Sequence, residues 1–389
     1  MNRGQKQNFL RRWWQHFQGN DQHHQPDYWL LTYVIILLVF GLLMLASASS
    51  VQSFERFGDS YYILKNQIVK GIIPGLLLAW WLSIISYQRL KKFVPVFFFA
   101  IVALLLAVLV THYAFHWGGA SRWLVLGPIV FQPSEFMKLA LVLYLAAWLE
   151  KRLPDQLKNW QQGLLPFMLI MGAVALLIIL QPDMGTLLVI LVSGFLMYFL
   201  AGLPWKHLAA IAAILIVGLG TLVVAEPYRF ARLTTFLNPE QDKQGAGYHI
   251  QQAKIAVGSG GLFGVGIGKS RQKFNYLPQV YGDSIFAIVG EELGFIASTL
   301  LVLLYLLLGF RGFYIAKRAP EAFGKLVAIG ITSWFTFQAF INIGAMIGIM
   351  PLTGIPLPFV SHGSSSLVSC LLAVGILLNI SRYISHKTR

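Results

Sequence analysis

Residues 279–310 read QVYGDSIFAIVGEELGFIASTLLVLLYLLLGF. From Leu293 to Phe310 the stretch carries no charge, and as a helix rising 1.5 Å per residue it is about 27 Å long. That nearly matches the ~30 Å hydrocarbon core of a bilayer. The composition decides between a soluble core helix and a span. The chain has 389 residues, 57% hydrophobic and only 12% charged, with mean hydropathy +0.66. A soluble domain carries about 25% charged residues. Apolar runs of comparable length recur along the chain. They predict an all-α integral membrane protein of about ten transmembrane helices. The predicted spans begin near Tyr28, Gln67, Phe93, Phe136, Leu164, Gly185, Leu208, Ile285, Phe323 and Val360.

The expected organisation is a basic cytoplasmic tail (1–27), one polytopic membrane domain (28–380) and a short cytoplasmic tail (381–389). A large extracytoplasmic loop, 226–283, lies between the seventh and eighth helices. It far exceeds the usual connection of about 4–6 residues, and loops of that length are commonly functional. The net charge of +15 would suggest nucleic acid in a soluble protein. Here it follows the positive-inside rule. Lys and Arg concentrate in the tails and in loops 86–92, 150–163, 201–207 and 311–325, so both termini are expected in the cytoplasm and no nucleic-acid partner is expected. The lone cysteine, Cys370, excludes an internal disulfide. Ala46-Ser47-Ala48 resembles a signal cleavage site, but the apolar run before it exceeds a signal core of about 7–15 residues; an uncleaved first helix is expected.

The outer side holds the unusual residues. Segment 118–138, GGASRWLVLGPIVFQPSEFMK, reads as a re-entrant or interfacial stretch. Pro351, Pro356 and Pro358 exclude a helix between 350 and 362. Residues 248–258 have helical spacing and suit a helix at the membrane surface. The glycines between Gly245 and Gly268 indicate backbone packed close against something. Residues 264–270, GVGIGKS, lack the first glycine of a nucleotide-binding loop, because Phe263 stands in its place. With Lys269, Arg271 and Lys273 they form either a solvated basic loop near headgroups or a cradle for a phosphorylated ligand. Arg122, Glu135 and Lys138 are either a charge-balanced group at the interface or a substrate site. Asp183 suits a helix N-cap before Gly185-Thr186. Glu291 and Glu292 are accounted for by a helix beginning near Leu293, at the positive pole of its dipole. Asp283 is either a cap or a base in a cationic pocket.

Five blocks carry a resemblance: GASRWLVLGPIVFQPSEFMKLALV, LQPDMGTLL, NPEQDKQGAGYHIQQAKIAVGSGGLFGVGIG, DSIFAIVGEELGF and GIPLPFVSHGSSSL. In this order the chain resembles the shape, elongation, division and sporulation (SEDS) family of bacterial membrane glycosyltransferases. Residues 264–278, GVGIGKSRQKFNYLP, look like the division branch, FtsW, rather than the elongation branch, RodA. The resemblance implies polymerisation of lipid II at the inner (plasma) membrane, at the division septum. It implies a class B penicillin-binding protein and other divisome membrane proteins as partners, and a catalytic Asp that falls on Asp283. Arg122, Glu135 and Lys138 match positions of the substrate cavity, and Gln132, Ser134, Gln181 and Asp183 match further motif positions. Lys269, Arg271 and Lys273 join them as candidate cations for the pyrophosphate. The charge growing on the pyrophosphate calls either for these cations or for a divalent cation, Mg or Mn.

The chain also departs from the family pattern. Where the family reads Pro-Glu and then His-Thr-Asp-Phe, this chain has Pro278-Gln279 and Tyr281-Gly282-Asp283-Ser284. Where it reads Ser-Tyr-Gly-Gly-Ser-Ser, this chain has Ser361-His362-Gly363-Ser364-Ser365-Ser366. Two other classes of function remain open on these residues. A lipid II flippase would use the same cavity but needs ionisable groups through the depth of the bundle. A scaffold would only activate the penicillin-binding protein.

Overall fold

A computed structural model describes residues 25–384 except 111–113, 118–119, 128, 226–229, 231–233, 239–241 and 243–244. Nearly all of the two tails, and much of the first part of the long loop, lie outside the described residues. The spanning helices are α1 (Tyr28–Phe57), α2 (Tyr62–Ile84), α3 (Tyr87–Val110), α4 (Pro133–Glu150), α5 (Trp160–Ile179), α6 (Met184–Leu200) and α7 (Trp205–Ala225). A loop helix α8 (Ala246–Ser259) follows, and then α9 (Ile285–Arg318), α10 (Ala322–Met346) and α11 (Ser364–Ser381). Seven of these, α1–α3, α5 and α9–α11, are long and apolar enough to cross a membrane by length and composition. The other three occupy the remaining expected positions: α4 carries Glu135 and Lys138, α6 has only 17 residues, and α7 has 21.

Local chemistry sets the helix ends. Asp27 caps α1 by accepting from the Leu30 N–H at 2.9 Å, and Gly58, at φ 70°, closes its other end. The Asp27 carboxylate also pairs with Arg311 of α9 at 2.8 Å, tying the two helices together at one end. Helices α2 and α5 each contain a widened turn, Ile68–Ile72 and Trp160–Leu164, shortly before Pro74 and Pro166. Proline supplies no N–H to the helix ladder, so the turn before it relaxes.

Segment 118–138, expected as a re-entrant or interfacial stretch, is built from strands followed by the start of α4. It contributes to a three-stranded antiparallel sheet, β1 (Ala114–Trp117), β2 (Ala120–Leu126) and β3 (Ile129–Phe131), in which Leu124 pairs with both Ala114 and Phe131. The strands satisfy one another's backbone groups, an alternative to lining a cavity as irregular chain. Helix α4 then starts at Pro133, which suits a first-turn position.

Helices α10 and α11 are the most enclosed of the seven. The extended segment between them, 347–363, folds inward. Leu352, Ile355, Leu357, Phe359 and Val360 are all buried. Buried non-helical backbone must find partners. Gln338 donates to Pro356 O and Asn342 to Ile355 O, each at 2.8 Å; Tyr305 donates to Pro358 O. Ser361 accepts from Leu357 N at 2.8 Å, and Gln67 accepts from Gly363 N at 3.1 Å. Gly41 of α1 permits the close approach: a Cβ there would lie 2.5 Å from Phe359 O.

Candidate functional site

The glycine-rich loop packs against a break in α9. Gly294 has φ 77° and ψ −170°, which interrupts the helix and frees backbone groups on both sides. The loop takes them up. Val265 N and Gly266 N donate to the carbonyls of Glu291 and Glu292 at 3.0 Å, while Phe295 N and Ile296 N donate to Gly261 O and Leu262 O at 2.9 and 3.2 Å. A Cβ on Gly264 would lie 2.2 Å from Glu292 O, so the close approach requires glycine. This accounts for the glycines noted in the sequence.

The expectation for Glu291 and Glu292 is corrected. The helix begins at Ile285, not near Leu293, and both glutamates lie inside it, buried, just before the break. They serve as anchors. The Glu291 carboxylate accepts from Ser270 Oγ, from Arg271 N at 2.8 Å and from Gln272 N at 3.4 Å. The Glu292 carboxylate accepts from Ser47 Oγ at 2.7 Å and pairs with Lys273 Nζ at 3.1 Å. The loop is therefore an anion cradle, but the anions it holds are the protein's own. Lys273 is buried and turned to Glu292, closed to a ligand in this conformation. Lys269 and Arg271 are exposed.

Asp283 stands half-buried at the end of this loop. Asn342 of α10 donates through Nδ2 to both Asp283 O and Ile355 O at 2.8 Å, locking the turn to the inward segment. Gly354 faces the carboxylate: a Cβ there would lie 3.9 Å from Asp283 Oδ2. Ser284 Oγ donates to Pro278 O at 2.8 Å and lies 2.6 Å from His249 Nε2 of α8, which brings the loop helix to the same turn. Beside it, His362 N donates to Tyr281 O at 2.9 Å, and the two rings meet edge-on at 5.5 Å. Two of the departures from the family pattern are thus in contact with each other. Burial pushes the His362 imidazole down to about 4, and its Nε2 is buried without a hydrogen-bond partner.

The other candidates fall into two groups. In the first, Arg122 of β2 clasps the turn before α6, donating to Gln181 O at 3.1 Å and to Pro182 O. Asp183 caps α6 through Thr186 N at 3.2 Å, as its position predicts, and its other oxygen accepts from Ser134 Oγ at 3.2 Å. Ser134 in turn accepts from Gln132 Nε2 at 3.1 Å, and Gln132 N donates to Ser365 Oγ at 3.2 Å. Gln181 donates to Leu105 O at 3.0 Å. In the second group, Lys138 is 2% exposed and donates to Glu135 and to Gln338 Oε1, each at 2.8 Å, with Trp334 stacked 4.9 Å away. This pair is closed to a ligand in the same way as Lys273. Through Gln338 it braces the inward segment at Pro356.

The sequence reading passed over Gln67, Gln338 and Asn342, which hold that segment. Their signal was present: each is a buried amide in a largely apolar helix, where an amide needs a partner. Among the described residues, no three His, Cys, Asp or Glu side chains are grouped to hold a metal ion. A divalent ion here would draw on Asp283 and on the phosphates of a bound substrate, the usual manner for Mg.

The model of the FtsW, RodA and SpoVE family, described as "Cell cycle protein", matches residues 28–386. The chain belongs to this FtsW/RodA/SpoVE family. Stage V sporulation protein E of Bacillus subtilis (strain 168) is 41% identical, over 92% of this chain and 97% of the relative. A probable peptidoglycan glycosyltransferase FtsW of Geobacter sp. (strain M18) is 39% identical, over 91% of this chain and 96% of the relative. Among solved structures, a chain of a peptidoglycan synthase complex that coordinates polymerization and crosslinking superposes with TM-score 0.77 at 32% identity, covering 92% of this chain and 98% of its own. The rod shape determining protein RodA of Thermus thermophilus gives TM-score 0.68 at 32% identity, again over 92% and 98%. The FtsW/RodA/SpoVE fold here is a multi-pass membrane bundle with its polar residues gathered around the inward segment and the broken helix.

Proposed function

We propose that this protein is a peptidoglycan glycosyltransferase that polymerises lipid II into β-1,4 glycan strands and releases undecaprenyl pyrophosphate. The observation that carries the reading is Asp283: a half-buried carboxylate at the end of the outer loop, its backbone pinned by Asn342 and its Oδ2 facing Gly354. Asp283 takes the proton from the acceptor 4-hydroxyl as that oxygen attacks the anomeric carbon of the donor. The bond to the pyrophosphate oxygen breaks, and one displacement inverts the anomeric centre. General-base catalysis of this kind contributes about 10²–10⁴-fold. Charge grows on the leaving pyrophosphate. The exposed Lys269 and Arg271, with a divalent cation, Mg or Mn, bound to the phosphates, would neutralise it. Arg122 and the Gln132–Ser134–Asp183 chain are the further candidates for holding the substrate.

Similarity to FtsW relatives favours work at the division septum with a class B penicillin-binding protein as cross-linking partner, and the distribution of Lys and Arg favours both termini in the cytoplasm. The solved synthase complex supports such a partner. The stage V sporulation relative favours a second setting for the same reaction, sporulation. The test is polymerisation of labelled lipid II by purified protein with its partner. Asp283→Asn is expected to lose about 10²–10⁴-fold in rate at unchanged melting temperature. Undiminished polymer from that variant removes Asp283 as the base. Lipid II transfer across proteoliposomes with no polymer formed replaces the enzyme reading with a flippase.

A further inference from the structure

The loop that locks onto the break in α9 leaves its apolar side chains outward. Phe263 is 80% exposed, Ile267 66% and Leu262 61%, with Val265 beside them. An aqueous loop would not ordinarily present such a run. Its place in the fold gives a reason. Phe295 and Ile296, whose N–H groups donate to Gly261 O and Leu262 O, are the first residues of the uninterrupted part of α9. From there Phe295, Leu300, Leu303, Leu307 and Phe310 form an exposed apolar stripe down the helix. The stretch from Phe295 to Phe310 is about 24 Å long at 1.5 Å per residue, short of a ~30 Å hydrocarbon core. Leu262 and Phe263 continue the stripe where the uninterrupted part of α9 ends at the Gly294 break.

We infer that residues 262–267 form a lip immersed in the outer leaflet at the acyl-chain boundary, with Lys269 and Arg271 at the level of the lipid phosphates. Irregular backbone is excluded from that zone unless its polar groups are satisfied. The loop meets much of that demand: Gly261 O, Leu262 O, Val265 N and Gly266 N bond to α9, Gly264 N bonds to Gly260 O at 2.8 Å, and Gly266 O accepts from Lys269 N at 3.1 Å. What the lip offers outward is apolar side chain, followed by two exposed cations suited to anionic headgroups. A water-facing loop would need neither this pairing onto α9 nor the apolar tip. The lip continues directly into the anchor on Glu291 and Glu292, and so sets the height of the α9 segment that begins after Asp283. This inference stands whether or not Asp283 is the base.

The test places one dye at the lip of the full chain. Phe263→Cys in a Cys370→Ala background is labelled with an environment-sensitive fluorophore and reconstituted in phosphatidylethanolamine–phosphatidylglycerol vesicles. Ile267→Cys serves as the second probe. Leu300→Cys on the span and Lys158→Cys on an exposed loop are the references. The expected result is blue-shifted emission at both lip positions, quenched by lipids brominated near the top of the acyl chain comparably to Leu300→Cys and little by aqueous iodide. Emission like that of Lys158→Cys, quenched by iodide alone, overturns the lip. Blue-shifted emission that neither agent quenches also overturns it, because the loop is then covered by protein.

Discussion

At the scale of single residues, the neighbours of Asp283 decide most. Tyr281 and His362 depart from the family pattern in opposite senses, and the structure puts them edge to edge at 5.5 Å. Such neighbours couple, so their substitutions do not add. Exchanging both, Tyr281→His with His362→Tyr, is expected to keep more polymerisation activity than either single change. A double-mutant cycle on the rate measures this directly, and strict additivity would show the contact to be incidental. The imidazole also has a pH consequence. Its folded value of about 4 lies below the ordinary 6.5 because burial disfavours the charged ring. The unfolded chain therefore binds the extra proton between those values, and stability falls as pH drops through that window. His362→Gln is expected to flatten the loss of thermal stability from about pH 6.5 to about pH 4. Melting curves of the two proteins across that range check it. Asp283 was visible in the sequence as the acid at the end of the basic loop, and Asp183 as a cap before Gly185-Thr186. Asn342 was legible only as an amide in need of a partner, because its role depends on the carbonyls of Asp283 and Ile355, which folding brings to it.

At the scale of elements, the broken helix and the glycine loop act as one unit. Gly264 has φ 82° and no room for a Cβ beside Glu292 O. Gly264→Ala is expected to destabilise the protein by about 2 kcal/mol or more, seen as a lower melting temperature and faster proteolysis within residues 260–273. The anchor beneath makes a separate prediction. Glu292→Ala leaves Lys273 buried without its counter-charge and is expected to cost about 3–5 kcal/mol. Replacing both, Glu292→Leu with Lys273→Met, is expected to recover much of it, as measured by denaturant or thermal unfolding in detergent. The density of glycine and the basic cluster were legible in the sequence, and so was the idea of an anion cradle. The identity of the anion was not. Periodicity places Glu291 and Glu292 at the mouth of a span, and only the turn at Gly294 shows that they face a loop some twenty residues earlier.

At the scale of the whole molecule, the bundle is organised around an extended segment that would be expected on the surface. Residues 350–362 run inward because the amides and hydroxyls of α2, α9 and α10 replace the hydrogen bonds that water would have provided. The Glu135–Lys138 pair belongs to this framework, since Lys138 holds Gln338 and Gln338 holds Pro356. Lys138→Met is expected to destabilise the bundle by about 3–5 kcal/mol through the stranded Glu135, with a smaller loss when Glu135→Leu accompanies it. If instead the single variant melts as the parent does but loses lipid II binding, Lys138 opens toward substrate in a conformation other than this one.

The sequence by itself determined the number, order and approximate limits of the spanning helices. A bilayer demands about 20 apolar residues for each crossing, and that demand is local. It also determined the long loop before Ile285, the proline-rich segment, the cap at Asp183 and the family, because each is written in contiguous residues. Only the tertiary structure decided which charges are spent inside. Lys273 on Glu292, Lys138 on Glu135, and the loop N–H groups on Glu291 are pairings between residues that lie near one another only when the chain is folded. Whether a buried charge is a ligand site or a brace depends on what satisfies it. That partner is chosen by packing across the bundle, which no single stretch of sequence carries.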